Sequence, residues 1–331
     1  MKNPKIVTIG GGTGQFTVLS GLKKFNGNLT AIVNMVDDGG STGVLRDELG
    51  VLPPGDVRQC LVALSHSSKS MRDLFNYRFE NGSFGGHNFG NLLLTALEKT
   101  TGSFEKAINE VSNILAISGS VIPVTTDDTH LCLKLKNGKV ISGQYKIENS
   151  FFSQNKGFIK LFLSPKAKIN PRAKKAILES DVLIIGPGSF YTSIIPNILV
   201  RGMSEAIKKS KALKIYICNL VNKPGQTDNF EVCDYIDMIE DFVGKPIFDY
   251  VVFNNKKPSQ RILARYEEVG ENLVWFTESD FTKKHYKTIS SDLISKKAPK
   301  KLPQDKLKRT LIRHNSERIA RLILDIYERE L

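Results

Sequence analysis

The stretch "VTIGGGTGQF", residues 7–16, ends an apolar run in three consecutive glycines, a threonine and a fourth glycine. The run before the glycines, rich in β-branched residues, reads as a buried strand. The residues after it, "GQFTVLSGLKKF", carry apolar positions at helical spacing. Strand, glycine turn and helix in that order open a phosphate-binding α/β fold, and the turn decides which kind. A P-loop needs a lysine followed by serine or threonine straight after its last glycine. Here Gln15 and Phe16 follow Gly14, and the next lysines are Lys23 and Lys24, well down the helix. The dinucleotide fingerprint G-x-G-x-x-G takes Gly10 and Gly12, but its third glycine falls on Gln15. The turn is neither loop, which argues against both a P-loop hydrolase and an NAD-dependent oxidoreductase.

Working outward, "LTAIVNMVD" (29–37) is a second β-rich run, and it ends in another glycine cluster, "DDGGSTG" (37–43). The two together make a βαβ unit, from which parallel sheets are built. A third glycine turn, "GPGS" (186–189), follows the apolar run "DVLIIG". In a parallel sheet all three turns lie at the carboxyl ends of their strands. Glycine lets the chain adopt φ > 0 and bring its N–H groups up to phosphate oxygens. The helix N-termini beyond each turn add a favourable field. Three such turns supply more anion-binding backbone than the single pyrophosphate of a dehydrogenase requires. Asp37 and Asp38 would repel a phosphate by themselves, so they are read as holding a cation, magnesium, or orienting a hydroxyl.

The rest of the chain keeps an α/β rhythm with one interruption. A helix is expected at "GDVRQCLVALS" with Asp56 as its N-cap, followed by helical patterns in "SMRDLFNYRFE", "NFGNLLLTALEKT" and "SFEKAINEVSNILAI". Residues 120 to about 165 read as an antiparallel excursion, with a tight hairpin at Asn137-Gly138 and a short strand at "IKLFLSP". A helix from Pro171, buried strands at "DVLIIG", "LKIYICNLV" and "FDYVVFNN", a short strand at "NLVWF" and an amphipathic terminal helix complete the pattern. The expected architecture is one α/β domain, 1–331: a Rossmann-like, open, mainly parallel sheet with helices on both faces, an antiparallel hairpin insertion and a basic segment at about 295–331.

With 331 residues, 40% hydrophobic and 24% charged, the chain can bury a sizeable core. No apolar run is long enough to span a membrane, and the first is stopped by its glycines, so it reads as a strand and not a signal peptide. Cys60, Cys132, Cys218 and Cys233 are scattered, as fits reduced thiols in a cytoplasmic protein. The net charge of +13 is concentrated around "SKKAPKKLPQDKLKRTLIRH" (295–314). Without interleaved aromatics or a recognisable nucleic-acid module, this reads as a solvated or phosphate-facing patch rather than a nucleic-acid surface.

Two further clusters carry competing readings. "TTDDTH" brings Asp127, Asp128 and His130 together, as metal ligands or as a surface turn. His87 in "GGHNFGN" is either an acid/base group or a brace for the following helix.

The ordered motifs "IGGGTG", "VDDGGSTG", "LPPGDVRQCL", "GHNFGN", "IGPGSFYTSIIPN", "NLVNKPGQTDNF" and "IRHN" resemble those of the YvcK-like gluconeogenesis factors over nearly the whole chain. These form the bacterial branch of a superfamily that includes CofD, the 2-phospho-lactate transferase of deazaflavin cofactor synthesis. The resemblance implies a Rossmann-like fold, cytoplasmic location and a UDP-sugar ligand, UDP-N-acetylglucosamine, in a protein linking central carbon metabolism to cell-wall synthesis and shape. It maps Gly11, Gly12, Thr13 and Gly14 onto the first nucleotide loop and Asp37 and Asp38 onto the acidic pair. Asn88 and Asn91 fall on "HNFGN", Gly188 and Ser189 on the "GPGS" turn, and Asn219 and Lys223 on "NLVNKPGQT". Tyr266 and Arg313 match late positions assigned to the sugar nucleotide. The chemistry suits those roles: Arg313 can clamp a diphosphate, Tyr266 can stack on uracil, and Asn219 can both donate and accept.

The leading expectation is thus a regulatory UDP-sugar-binding protein acting through partner proteins of cell-envelope metabolism, its self-association left open. The alternative is a CofD-type transferase moving a phospho-organic-acid group from a nucleoside diphosphate to an acceptor hydroxyl. Magnesium at Asp37 or Asp38 and the glycine-turn N–H groups would then stabilise charge.

Overall fold

The opening apolar run becomes β1 (Ile6–Gly10), buried along its whole length. The computed structural model describes residues 3–25, 28–152, 157–296 and 312–331. On one side of β1 the sheet continues in parallel with β2 (Leu29–Val33) and then β3 (Ser120–Pro123). The chain next builds a separate antiparallel sheet from β4 (His130–Leu135), β5 (Val140–Ser142) and β6 (Phe158–Ser164), with β4 in the middle. It returns to the other side of β1 with β7 (Val182–Ile185), β8 (Leu213–Ile217), β9 (Tyr250–Asn254) and β10 (Lys287–Ser291). The order of the seven-stranded sheet is β10-β9-β8-β7-β1-β2-β3, and every pairing in it is parallel. Ile6 stands opposite both Leu29 and Val182.

The sequence supports this sheet because its inner strands are near-continuous apolar runs, as strands covered on both faces must be. The first helix, Gly12–Leu22, packs against the helix Pro54–Leu64 and against the C-terminal helix Ser316–Arg329. That last helix turns Ile319, Ala320, Ile323 and Ile326 inward, and Asn315 caps it by accepting a hydrogen bond from the Arg318 N–H. Because the chain moves one way from β1 and later returns to build the other half, β1 and β7 flank a topological switch point. At such a point a crevice opens beyond the carboxyl ends of the strands.

The expected α/β architecture is present, with three local differences. The run at 120–123 belongs to the main parallel sheet, so the antiparallel insertion is shorter and makes a three-stranded sheet of its own. Its hairpin turns at Asn137-Gly138, where Gly138 takes φ +87. "NLVWF" makes only a single bridge, Leu273 to Val221, while the outermost parallel strand is β10, "KTISS". An edge strand with one open side tolerates polar residues, and that hides it from an apolar-run reading. Finally, the helix expected to be capped by Asp56 begins earlier, at Pro54, because proline suits a first helical turn. Asp56 is therefore inside the first turn with its side chain free for other work. Residues 297–311 of the basic segment lie outside the described residues, and the rest of it carries the C-terminal helix. Among the described residues no helix is long and apolar enough to cross a membrane.

Candidate functional site

The first and third glycine turns meet at the switch point. Gly12 takes φ +61, a backbone region costly for any side chain, and Gly14 faces the third turn directly. A Cβ on Gly14 would stand 2.1 Å from Pro187 O and 3.1 Å from Gly188 Cα, so the turns touch backbone to backbone. Thr13 is exposed at the rim. Gln15, where a dinucleotide loop has its third glycine, is buried and stitched to the sheet. Its Nε2 donates to Ile32 O at 3.0 Å, Thr8 Oγ1 at 3.1 Å and Thr8 O at 3.2 Å.

The acidic pair of the second turn diverges. The Asp38 carboxylate accepts hydrogen bonds from Gln144 N at 2.9 Å and Tyr145 N at 2.6 Å, tying the turn to the short insertion helix Gln144–Glu148. Asp37 accepts from Gly39 N at 3.1 Å and faces Gly55, where a Cβ would stand 2.6 Å from its Oδ2. Asp56 comes up from the helix Pro54–Leu64 on the same side, accepting a hydrogen bond from the Gly12 N–H. Burial raises the pKa of Asp37 above the ordinary carboxylate value. Burial, reinforced by the negative charge of Asp37, pushes Asp56 up to about 8. Two such carboxyl groups titrate as a pair, and the second charge is costly at neutral pH.

The "HNFGN" segment acts on this turn through Ser41. Asn88 caps the helix Phe89–Thr101, its Oδ1 accepting from Gly90 N at 3.0 Å and Asn91 N at 3.3 Å. Asn91 Nδ2 donates to Ser41 Oγ at 3.3 Å, and its Oδ1 accepts from Arg58 Nε at 2.9 Å. His87 Nδ1 lies 3.2 Å from the same serine hydroxyl, so His87 braces the second turn while the cap is Asn88. Burial and the neighbouring Arg78 lower the pKa of Arg58 to about 10, which leaves it charged at neutral pH.

At the third turn an anion is already in place. Ser189 Oγ donates to Glu148 Oε2 at 2.8 Å, and Thr192 Oγ1 and Lys223 Nζ hydrogen-bond the same carboxylate. Glu148 ends the insertion helix, and Gln226 Nε2 fixes its backbone by donating to Ile147 O at 3.0 Å and Glu148 O at 2.9 Å. Asn219, just beyond β8, donates from Nδ2 to Gly188 O at 2.8 Å.

Tyr266 and Arg313 are brought together at the carboxyl end of β8. The Tyr266 hydroxyl accepts from Ile312 N at 2.8 Å, and Arg313 O accepts from Ser295 N at 2.7 Å. Next in the chain, His314 Nε2 donates to Cys218 O at 3.0 Å. Burial lowers the His314 pKa to about 4, so the ring is neutral at neutral pH and serves as a structural donor.

Three buried amide oxygens around the crevice, on Asn34, Asn197 and Asn219, meet no donor among the described residues. Asn34 follows β2 and donates from Nδ2 to Thr192 O at 3.2 Å. Asn197 donates to Ser193 O at 2.8 Å and to Gly10 O at 3.3 Å. An unsatisfied buried acceptor costs about 1–3 kcal/mol, which a ligand hydroxyl or N–H would relieve.

Sequence reasoning overlooked Asp56, Asn34, Ser41, Glu148, Thr192 and Asn197 as site residues. Asp56 had a signal, since "PPGD" (53–56) opens the helix that follows the second glycine turn and its helix; Glu148 had none, being an ordinary charged residue in a short helix. The "TTDDTH" cluster is a structural turn. Arg46 Nη2 donates to Asp128 Oδ1 at 2.6 Å, and Asp127 accepts from Lys168 N at 2.7 Å. Among the described residues no three His, Cys, Asp or Glu side chains are grouped to hold a metal ion.

The chain is similar to known proteins over nearly its whole length. The family model for 2-phospho-L-lactate transferase CofD matches residues 6–294. A protein of Thermoanaerobacterium thermosulfurigenes is 41% identical over 330 residues, covering 99% of this chain and 98% of the other. The gluconeogenesis factor of Halalkalibacterium halodurans is 38% identical over 327 residues, covering 98% of this chain and 97% of that protein. A crystal structure of a UPF0052 family member from Bacillus halodurans superposes with a TM-score of 0.88 at 37% identity, covering 98% of this chain and 99% of its own.

Proposed function

We propose, from the premise that this chain belongs to the CofD family and within it to the gluconeogenesis factors, that it is a binding protein for UDP-N-acetylglucosamine. The observation that carries this reading is the arrangement of backbone and amide groups at the switch point. Two glycine turns touch at the switch point, and orphaned amide oxygens of Asn34, Asn197 and Asn219 surround it. Bare backbone N–H groups suit a diphosphate, and buried acceptors suit the hydroxyl and N–H donors of a nucleoside and a sugar. Arg313 and Tyr266 would hold the far end of the ligand. In this reading the protein acts in the cytoplasm, reporting sugar-nucleotide supply to proteins of cell-envelope metabolism during gluconeogenic growth. Calorimetric titration with UDP-N-acetylglucosamine, GDP and NAD tests it. Saturable binding of the UDP-sugar in preference to the other two is expected, and preference for GDP or NAD would remove the reading.

A second reading, the transferase, is favoured by Asp37 and Asp56. A divalent cation fits this pair, because its charge would offset the burial and the Asp37 repulsion that raise the Asp56 pKa. Bound there, magnesium would supply charge stabilisation to a phosphoryl group. Asp37 and Asp56 would hold the ion, Ser41 and His87 would steady the turn that carries Asp37, and Asp38 would remain with the insertion helix. Release of GMP from a phospho-lactyl guanosine diphosphate with a deazaflavin acceptor and magnesium would favour this reading over the first.

A further inference from the structure

Glu148 lies at the third glycine turn, and the side chains that hydrogen-bond its carboxylate are donors. The hydroxyls of Ser189 and Thr192 and the ammonium of Lys223 all point their hydrogens at its carboxylate. Thr192 Oγ1 also lies 2.7 Å from Ser189 Oγ, so the two hydroxyls stand side by side. Two hydroxyls and a cation on one anion make a cradle that suits a phosphate as well as a carboxylate, since both present several acceptor oxygens. The cradle opens beside the bare backbone of Gly188, where the first and third turns meet.

The carboxylate is held in a replaceable way. The side chains of Glu148 and Lys223 keep 27% and 33% of their exposure, so water reaches both and the pair is not locked by burial. The backbone under Glu148 is, by contrast, fixed at both ends of its helix. Asp38 takes the N–H groups of Gln144 and Tyr145, and Gln226 takes the carbonyls of Ile147 and Glu148. The least costly change is therefore a swing of the Glu148 side chain alone.

We propose that Glu148 is the internal occupant of an anion subsite formed by Ser189, Thr192 and Lys223, which a phosphate group of the ligand takes over by displacing the carboxylate. This deepens the nucleotide-diphosphate reading and rests on it for the identity of the displacing group. Glu148 thereby determines specificity. It keeps the donors aligned and the Lys223 charge balanced in the free protein, and it sets a threshold that only a strong polyanion passes. A ligand with a single weak charge gains too little from the cradle to expel it.

The test is titration of inorganic pyrophosphate, at fixed ionic strength, into wild type, Glu148→Gln, Glu148→Asp and Lys223→Met. Glu148→Gln removes the competing charge and is expected to bind pyrophosphate about tenfold more tightly, about 1.4 kcal/mol. Glu148→Asp, one methylene shorter, withdraws the carboxylate and is expected to tighten binding to a lesser degree. Lys223→Met is expected to weaken it. Unchanged or weaker binding by both Glu148 variants, or no binding by any of the proteins, overturns the proposal and makes Glu148 a ligand contact or a purely structural group. Pyrophosphate carries neither base nor sugar. Tightening by Glu148→Gln without binding of the UDP-sugar would thus leave this inference standing while the ligand assignment fell.

Discussion

Asp56 fills the space that a side chain at residue 11 would need: its Oδ2 lies 2.4 Å from the position of a Cβ on Gly11. The helix Pro54–Leu64 is thereby pressed against the first glycine turn, and Asn34 Cβ, 3.2 Å from the same point, closes the other side. Gly11→Ala is expected to force these neighbours apart and to destabilise the fold by about 1–3 kcal/mol, the usual effect of overpacking. Thr13→Ala, at the exposed rim of the same turn, is expected to fall within about 0.5 kcal/mol of wild type. Urea unfolding of the two variants checks the contrast, and equal stability for both would remove the close contact from the account.

The raised Asp56 pKa makes a pH prediction with a definite sign. Its carboxyl binds a proton more tightly in the folded state, with a pKa of about 8, than an ordinary aspartate does at 3.8. The folded state therefore carries the extra proton, and stability falls as pH rises from the unfolded value towards about 8. Asp37 is shifted in the same direction. Thermal melts between about pH 5 and pH 9 should show wild type losing stability across that window, with a flatter profile for Asp56→Asn. A profile as steep in the variant would assign the slope to other groups.

Gln15→Ala should be among the more damaging single changes in the first helix. The side chain is 1% exposed and its Nε2 serves Thr8 O, Thr8 Oγ1 and Ile32 O. Truncation leaves a cavity and unpaired acceptors, a loss of about 2–4 kcal/mol. Denaturant titration reads it directly, and a change below about 1 kcal/mol would mean that the stitch is unimportant.

Much of the fold was legible because β1, β2, β7, β8 and β9 are apolar runs that end in turns, and their periodicity is visible without tertiary context. What escaped was decided by position. β10 is polar because it lies at an edge, and Ser120–Pro123 joins the main sheet although its neighbours in the chain build the insertion. The glycine turns were legible from their residue types. The partition of Asp37 and Asp38 was not, since adjacent carboxylates look alike in sequence, yet Asp38 holds the insertion helix and Asp37 faces Asp56. Glu148 reaches Lys223 across 75 residues, a separation that no local pattern reports.

Tyr266→Phe separates the hydroxyl from the ring. The hydroxyl accepts from Ile312 N, next to Arg313, so its loss should cost about 1 kcal/mol of stability. It should also loosen Arg313 and weaken UDP-N-acetylglucosamine binding by about tenfold, while the buried ring keeps its packing. Melting and titration of the variant check both parts; undiminished binding would take the hydroxyl out of the site's support.

The most direct measurement is the calorimetric titration of UDP-N-acetylglucosamine into wild-type protein and into Arg313→Ala. Saturable binding at one site per chain is expected in wild type and a large loss in the variant, with the variant's melting profile retained. No measurable binding by wild type, or equal binding by the folded variant, would contradict this expectation.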